Sequence, residues 1–220
     1  SSAASDVYKR QTPLDFSVNG QVQSIARRLT EGGFSVQSVW AMGSETAAID
    51  RAGEAEVNLV VSSVGLPAAE FLRERFGIPY VVGAPLGDTV SALLLGALQK
   101  SIHTGENEIL PAGMPDAPDT VILGESVTAR SLAAALLLDY GLCAEVICPV
   151  ELPRELEGSF CRQIEDEQDL QAALSGARRV IADPLFAPIM PQGAQFFPLP
   201  HEAYSGRIYR KQIPNLVTTW

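Results

Sequence analysis

Three short stretches hold the residue types that a binding site at a strand end requires: Ser62-Ser63-Val64-Gly65, Gly83-Ala84-Pro85-Leu86-Gly87 and Gly124-Glu125-Ser126. Each follows an apolar run that reads as a strand, and ligands of open α/β sheets gather outside the carboxyl ends of strands. Glycines let a ligand approach the backbone closely, while the hydroxyls of Ser62, Ser63 and Thr89 can donate or accept hydrogen bonds. Gly87 and Thr89 fall at a strand-to-helix turn. There, N–H groups at a helix start can hold an anion or cluster, and plain helix capping is an equal reading of the same residues. The third stretch resembles a nucleotide-binding turn. The chain has no GxGxxG, no acidic ribose partner and no GxxxxGK[ST], so the expectation is a helix start capped by Ser126 and no nucleotide cofactor.

The other reactive side chains are sparse. No GxSxG elbow is present, and neither His103 nor His201 sits in a local acid–nucleophile pattern. Cys143 and Cys148 share one expected strand at an odd separation, which sends their side chains to opposite faces, so they read as small buried apolar residues. Cys161 is expected in a loop or edge segment, where it could be exposed, with a ligand role the minority reading. His103 closes an apolar helix, where a histidine meets the helix dipole favourably. His201 lies in the Pro-rich stretch PLPHEAYSG, which could aim an imidazole into a cleft; metal ligation is the sharp reading, a supporting surface role the bland one.

Those residues need elements to hold them, and the pattern supplies strands alternating with helices. Helices are expected over Val22–Leu29, Glu45–Arg51 (with Ser44 as cap), Leu66–Phe76, Gly87–Ile102, Ser126–Tyr140, Glu167–Leu174 and Arg207–Val217. Strands are expected over Phe34–Trp40, Val57–Val61, Ile78–Val82, Thr120–Leu123, Leu142–Val150, Arg179–Ala182 and around Phe196-Phe197. This rhythm implies an α/β fold of two Rossmann-like parallel-sheet βαβ domains in tandem. The expected boundaries are 12–103 and 119–220, the latter ending in a helix, with 104–118 (TGENEILPAGMPDAP) as linker. Residues 1–11 (SSAASDVYKRQ) have no apolar period and resemble a translated sequencing-adapter remnant, so they read as a non-native or disordered tail.

Composition narrows the function classes. Hydrophobic residues make up 46% of the 220 and charged residues 19%, an ordinary globular balance. A net charge of -10 without a basic stripe argues against nucleic-acid binding. No apolar run approaches the ~20 residues of a membrane span. Three cysteines, an odd number without CxxC spacing, suit free thiols in a reducing cytosol, so the expected location is cytoplasmic.

Several segments together resemble the nitrogenase component 1 family, which comprises nitrogenase alpha and beta chains, the cofactor-assembly scaffold and the dark-operative protochlorophyllide reductase subunits. Thr12-Pro13-Leu14-Asp15-Phe16 resembles a segment that follows a strand in that family. Ala55-Glu56-Val57-Asn58-Leu59-Val60-Val61 resembles its A-x-x-N-L-V strand. Phe76-Gly77-Ile78-Pro79-Tyr80 and Pro85-Leu86-Gly87-Asp88-Thr89 resemble its F/Y-G-I-P and P-x-G-x-x-T stretches, the latter one residue tighter. Tyr204-Ser205-Gly206 and Ile213-Pro214-Asn215 resemble the glycine turn and terminal helix.

The resemblance implies an N-terminally truncated oxidoreductase subunit, inactive as a fragment. When complete it would use an iron–sulfur cluster, its ligands mostly outside this segment, to reduce a substrate bound between domains. The implied partners are a homologous subunit, in a hetero- or homo-oligomer, and an ATP-dependent reductase component; no nucleic acid and no membrane are implied. Ser62, Ser63, Gly65, Pro85, Gly87 and Thr89 would line the cofactor or substrate site, with His201 a candidate metal ligand. Where the nitrogenase alpha chain ligates its cofactor by a cysteine, this chain has Ser62 or Ser63, and a hydroxyl replaces a soft thiolate poorly on iron. True nitrogenase activity is therefore not expected. A non-catalytic metallocluster assembly scaffold and a Rossmann-like small-metabolite binding protein are the alternatives.

Overall fold

The computed structural model describes residues 2–7 by their backbone, and residues 20–40, 45–110, 118–202, 204–206 and 208–218. The chain divides into two compact units, Ser1–Leu110 with Asn215–Trp220, and Pro111–Pro214. Each is built on a five-stranded sheet whose strands all pair in parallel. The expected α/β class is what is observed.

The first unit runs β1 (Ser2–Val7), α1 (Gln21–Glu31), β2 (Phe34–Val39), α2 (Thr46–Asp50), β3 (Val57–Val60), α3 (Leu66–Phe76), β4 (Tyr80–Val82), α4 (Gly87–Thr104) and β5 (Glu108–Ile109). Its strand order is β2-β1-β3-β4-β5. Every residue of β3 (VNLV) is buried, as expected for a parallel strand covered on both faces. Val22, Ile25 and Leu29 give α1 a buried stripe at helical spacing, and Val90, Leu94 and Leu98 do the same for α4. Gly77 ends α3 in the left-handed region at φ 72°, where its N–H reaches the Arg73 carbonyl at 2.9 Å. Far along the chain, the Asn215 amide donates to the Ser24 hydroxyl on α1 at 2.9 Å, which ties the returning segment into this unit.

The second unit runs β6 (Thr120–Leu123), α5 (Ser126–Tyr140), β7 (Ala144–Cys148), β8 (Cys161–Gln163), α6 (Glu167–Leu174), β9 (Arg179–Ala182) and β10 (Gln195–Pro198). The order β10-β9-β6-β7-β8 starts at β6, grows to one side, and then reverses to the other. Val121, Leu123, Ile147, Val180 and Ala182 from the strands meet Leu170 and Leu174 of α6 in one core.

Three local expectations differ from what is observed. Residues 2–7 are not outside the fold: β1 lies between β2 and β3, with Ser2 opposite Phe34 and Ala4 opposite Val57. Ladder hydrogen bonds come from the backbone, so SAASDV pairs despite having no apolar run to reveal it. The stretch taken as linker holds β5, which pairs alongside β4, Val82 lying opposite Ile109. In place of a terminal helix, the described residues hold a single 3-10 turn, Arg210–Gln212, because Pro214 denies the helix its N–H. The expected cap Ser44, the resemblance segment at 12–16 and the middle of the linker lie outside the described residues.

Candidate functional site

In the first unit, β3 and β4 are parallel neighbours, Asn58 opposite Tyr80 and Val60 opposite Val82, so the loops after them leave from one sheet edge. Gly83 donates to the Val60 carbonyl at 3.0 Å, carrying the pairing one residue past β4. After β3, Ser63–Gly65 forms a 3-10 turn closed by the Gly65 N–H on the Ser62 carbonyl at 2.9 Å. Ser63 and Gly65 are buried and Ser62 is half-buried. After β4, Pro85 and Gly87 are buried and Thr89 is exposed on the first turn of α4. Gly87 has φ 65°, which only glycine adopts freely, and its carbonyl accepts the Ser91 hydroxyl. Ser62, Ser63, Gly65, Pro85, Gly87 and Thr89 thus come from two adjacent strand ends.

The same turn carries Asp88, whose Oδ1 meets Arg28 Nη2 at 2.7 Å. Its charge sits at the helix start, where it competes with any anion drawn to the dipole. What this edge offers is hydroxyls and close backbone approach.

In the second unit, the strand order reverses between β6 and β9, and each of these strands ends on a buried carboxylate. Glu125 follows β6 and accepts from the Val127 N–H at 3.2 Å and the Thr128 N–H at 3.0 Å. The cap of α5 is therefore Glu125 and not the expected Ser126, because the longer side chain folds back over the first turn. Asp183 follows β9. Its Oδ1 accepts the Leu185 N–H at 2.9 Å; its Oδ2 accepts the His201 N–H at 2.9 Å, the Ser205 N–H at 3.3 Å and the Ser205 hydroxyl at 2.7 Å. Donors at both strand ends are thus committed to resident carboxylates, an arrangement that repels phosphate.

Asp183 fixes the segment that carries His201. The imidazole is half-buried, its ring 5.9 Å from that of Tyr204 and its Nε2 3.9 Å from Glu202 Oε2. Tyr204 also meets Phe186 edge to face at 5.4 Å. The Tyr204 hydroxyl oxygen is buried and has no hydrogen-bond partner among the described residues. Burial, and then the charges of Glu125 and Asp183, push its phenol up, so it stays protonated.

Sequence reasoning singled out His201 but not Asp183, Glu125 as cap, or Tyr204. One signal was available: Asp183-Pro184 directly after a strand is a helix-start signature, an oxygen cap followed by proline at the first position. Cys161, expected in a loop or edge segment, does lie on the edge strand β8 but is fully buried, because β8 joins β7 and turns it onto the face of Val146 and Cys148. Cys143 is half-buried.

Among the described residues no group of three His, Cys, Asp or Glu is placed to hold a metal ion. The serines after β3 present hydroxyls where a cluster needs thiolates. The described residues do not fit an iron–sulfur cluster.

Comparison with known proteins matches residues 13–133, more than half of the chain, to the family model described as nitrogenase component 1 type oxidoreductase. One light-independent protochlorophyllide reductase subunit, from Chlorobium luteolum, is 33% identical over 108 residues, 48% of this chain and 21% of that protein. Its counterpart from Prosthecochloris aestuarii is 35% identical over 77 residues, 34% of this chain and 14% of that protein. The matched stretch is thus about a fifth or less of the length of these relatives. Among solved structures, a D-isomer specific 2-hydroxyacid dehydrogenase from Lactobacillus delbrueckii ssp. bulgaricus is 13% identical, with 86% of this chain and 64% of that one covered, at a TM-score of 0.24 that carries no argument. On the family match, this chain belongs to the nitrogenase component 1 type oxidoreductases.

Proposed function

We propose that this chain is part of a subunit that reduces a conjugated tetrapyrrole of the protochlorophyllide type, within a complex of homologous subunits served by an ATP-dependent reductase. In the intact complex an iron–sulfur cluster, ligated by residues outside this segment, would supply the electrons. The observation that carries the reading is the joint placement of Ser62, Ser63, Gly65, Pro85, Gly87 and Thr89 at one strand edge, inside the region matched to the family. That edge offers hydroxyls and no soft metal ligand, which suits an organic substrate better than a substrate-binding metal centre. Pro85 and the two glycines would let a flat macrocycle lie close to the backbone. The hydroxyls of Ser62, Ser63 and Thr89 would accept or donate hydrogen bonds to its polar substituents.

The test is turnover by the full-length subunit, reconstituted with its partner, the reductase and ATP, and followed by the absorbance of the tetrapyrrole product. Ser62→Ala combined with Thr89→Val is expected to raise KM about tenfold, the loss of roughly one hydrogen bond's worth of binding, 1.4 kcal/mol. Unchanged kinetics in that double variant would remove these residues from the site. Stoichiometric release of a metallocluster without any turnover would instead make the protein an assembly scaffold.

A further inference from the structure

Cys148 ends β7, and Cys161 opens β8 after a separation of 13 residues. The two strands are parallel neighbours with Val146 opposite Cys161, so the cysteines stand diagonally on one face of the sheet. Their sulfurs meet at 3.7 Å, and neither residue is exposed. That length is a thiol hydrogen bond; in a disulfide the sulfurs stand ~2.05 Å apart. Besides β7 and the turn at Gly158, β8 is tied by the Leu152 N–H on Gln163 Oε1 at 3.0 Å; it is three residues long, at the sheet edge, with Arg162 and Gln163 exposed. Short edge segments of this kind open locally at low cost.

The two thiols are inequivalent. The hydrogen bond from Cys148, and then the Arg130 guanidinium, favour the thiolate at Cys161 against burial and the Glu125 charge. The same hydrogen bond, with burial, holds the proton on Cys148. The Arg130 guanidinium, hydrogen-bonded to Cys161, marks that sulfur as the nucleophile and leaves Cys148 as its resolving partner.

We propose that Cys148 and Cys161 form a redox-active dithiol, a modification site that closes to an intramolecular disulfide by exchange with a low-molecular-weight disulfide. The Cys161 thiolate attacks one sulfur of the small disulfide, forming a mixed disulfide and expelling a thiolate that takes up a proton. Cys148 then gives up its proton and attacks the Cys161 sulfur, breaking the mixed bond and releasing the second small thiol. Two cysteines lose two electrons and two protons, and the small disulfide is reduced to two thiols. The product fastens the edge strand β8 to β7 and closes the loop over residues 149–160.

Incubating the native chain with oxidised glutathione tests this through free-thiol titration, intact mass and non-reducing peptide mapping. The expected result is a fall from three free thiols to one, a mass loss of two hydrogens, and a Cys148–Cys161 cross-linked peptide. Cys143→Ser is expected to give the same cross-link, and Cys148→Ser is expected to stop at a stable glutathione adduct on Cys161. Three thiols persisting in the folded chain, or a cross-link that requires Cys143, would overturn the proposal. Should Cys148→Ser fail to fold, the Cys143→Ser mapping decides alone.

Discussion

Ser205 donates twice to a single atom of Asp183: its hydroxyl and its backbone N–H both reach Oδ2, at 2.7 and 3.3 Å, across 22 positions of sequence. With the His201 N–H on the same oxygen, the carboxylate anchors the whole returning segment to the end of β9. Asp183→Asn would turn one acceptor into a donor facing three donors. A loss of about 3 kcal/mol is expected, against about 1 kcal/mol for Ser205→Ala, because the first change leaves buried donors unsatisfied and the second removes one partner. Urea unfolding monitored in the second unit measures both, and equal effects would contradict the anchoring role.

The cap of α5 gives a sharp contrast between neighbours. Glu125→Ala should cost about 1–2 kcal/mol, since two first-turn N–H groups lose their acceptor. Ser126→Ala should leave those two bonds intact and cost less than half as much. The reverse ranking in thermal or urea unfolding would restore the serine as cap.

For Tyr204, deletion of a polar atom is expected to do no harm. Its buried hydroxyl has no partner among the described residues, so Tyr204→Phe should change stability by less than about 0.5 kcal/mol, or increase it. Spectrophotometric titration should show one tyrosine that ionises only as the protein unfolds in alkali. Ionisation of every tyrosine in the ordinary range would contradict its burial among Glu125, Cys148 and Asp183.

Asp119, at the opposite end of the second sheet, predicts a pH dependence. Partial burial works against its ionisation, but the Thr120 hydroxyl at 3.1 Å, the Arg179 guanidinium at 2.5 Å and the nearby Arg178 outweigh it and hold the carboxyl below its usual range. A pKa lower in the folded than in the unfolded chain means that the stabilisation is present above the unfolded value and fades as pH falls through the folded one. The urea midpoint of the native chain should therefore drop more between roughly pH 5 and pH 3 than that of Asp119→Asn. Parallel curves would show that the ion pair contributes nothing.

Apolar runs and helical spacing made most of the two sheets legible, because buried parallel strands such as VNLV and TVIL cannot disguise their burial. The interior strand β1 escaped notice, since a strand held by its neighbours' backbones needs no apolar signature of its own. Short edge strands such as β5 and β8 failed for a related reason: two or three residues are too few to show a period. At the candidate site, the glycines and serines after β3 and β4 were readable from their position at strand ends. Asp183 was not, because its three long-range bonds join residues 18 and 22 positions apart, and only the folded chain brings them together.

The bond from Asn215 to Ser24 has a consequence for synthesis. The first unit contains Ser1–Leu110 and also Asn215–Trp220, so the whole second unit is spelled out between two parts of the first. On the ribosome, the Pro111–Pro214 segment has all its residues before the unit that precedes it does. The earlier-made unit waits, with the Ser24 hydroxyl still lacking its amide, until more than a hundred further residues have emerged. In vectorial synthesis all of residues 111–214 therefore precede the Asn215 anchor of the first unit.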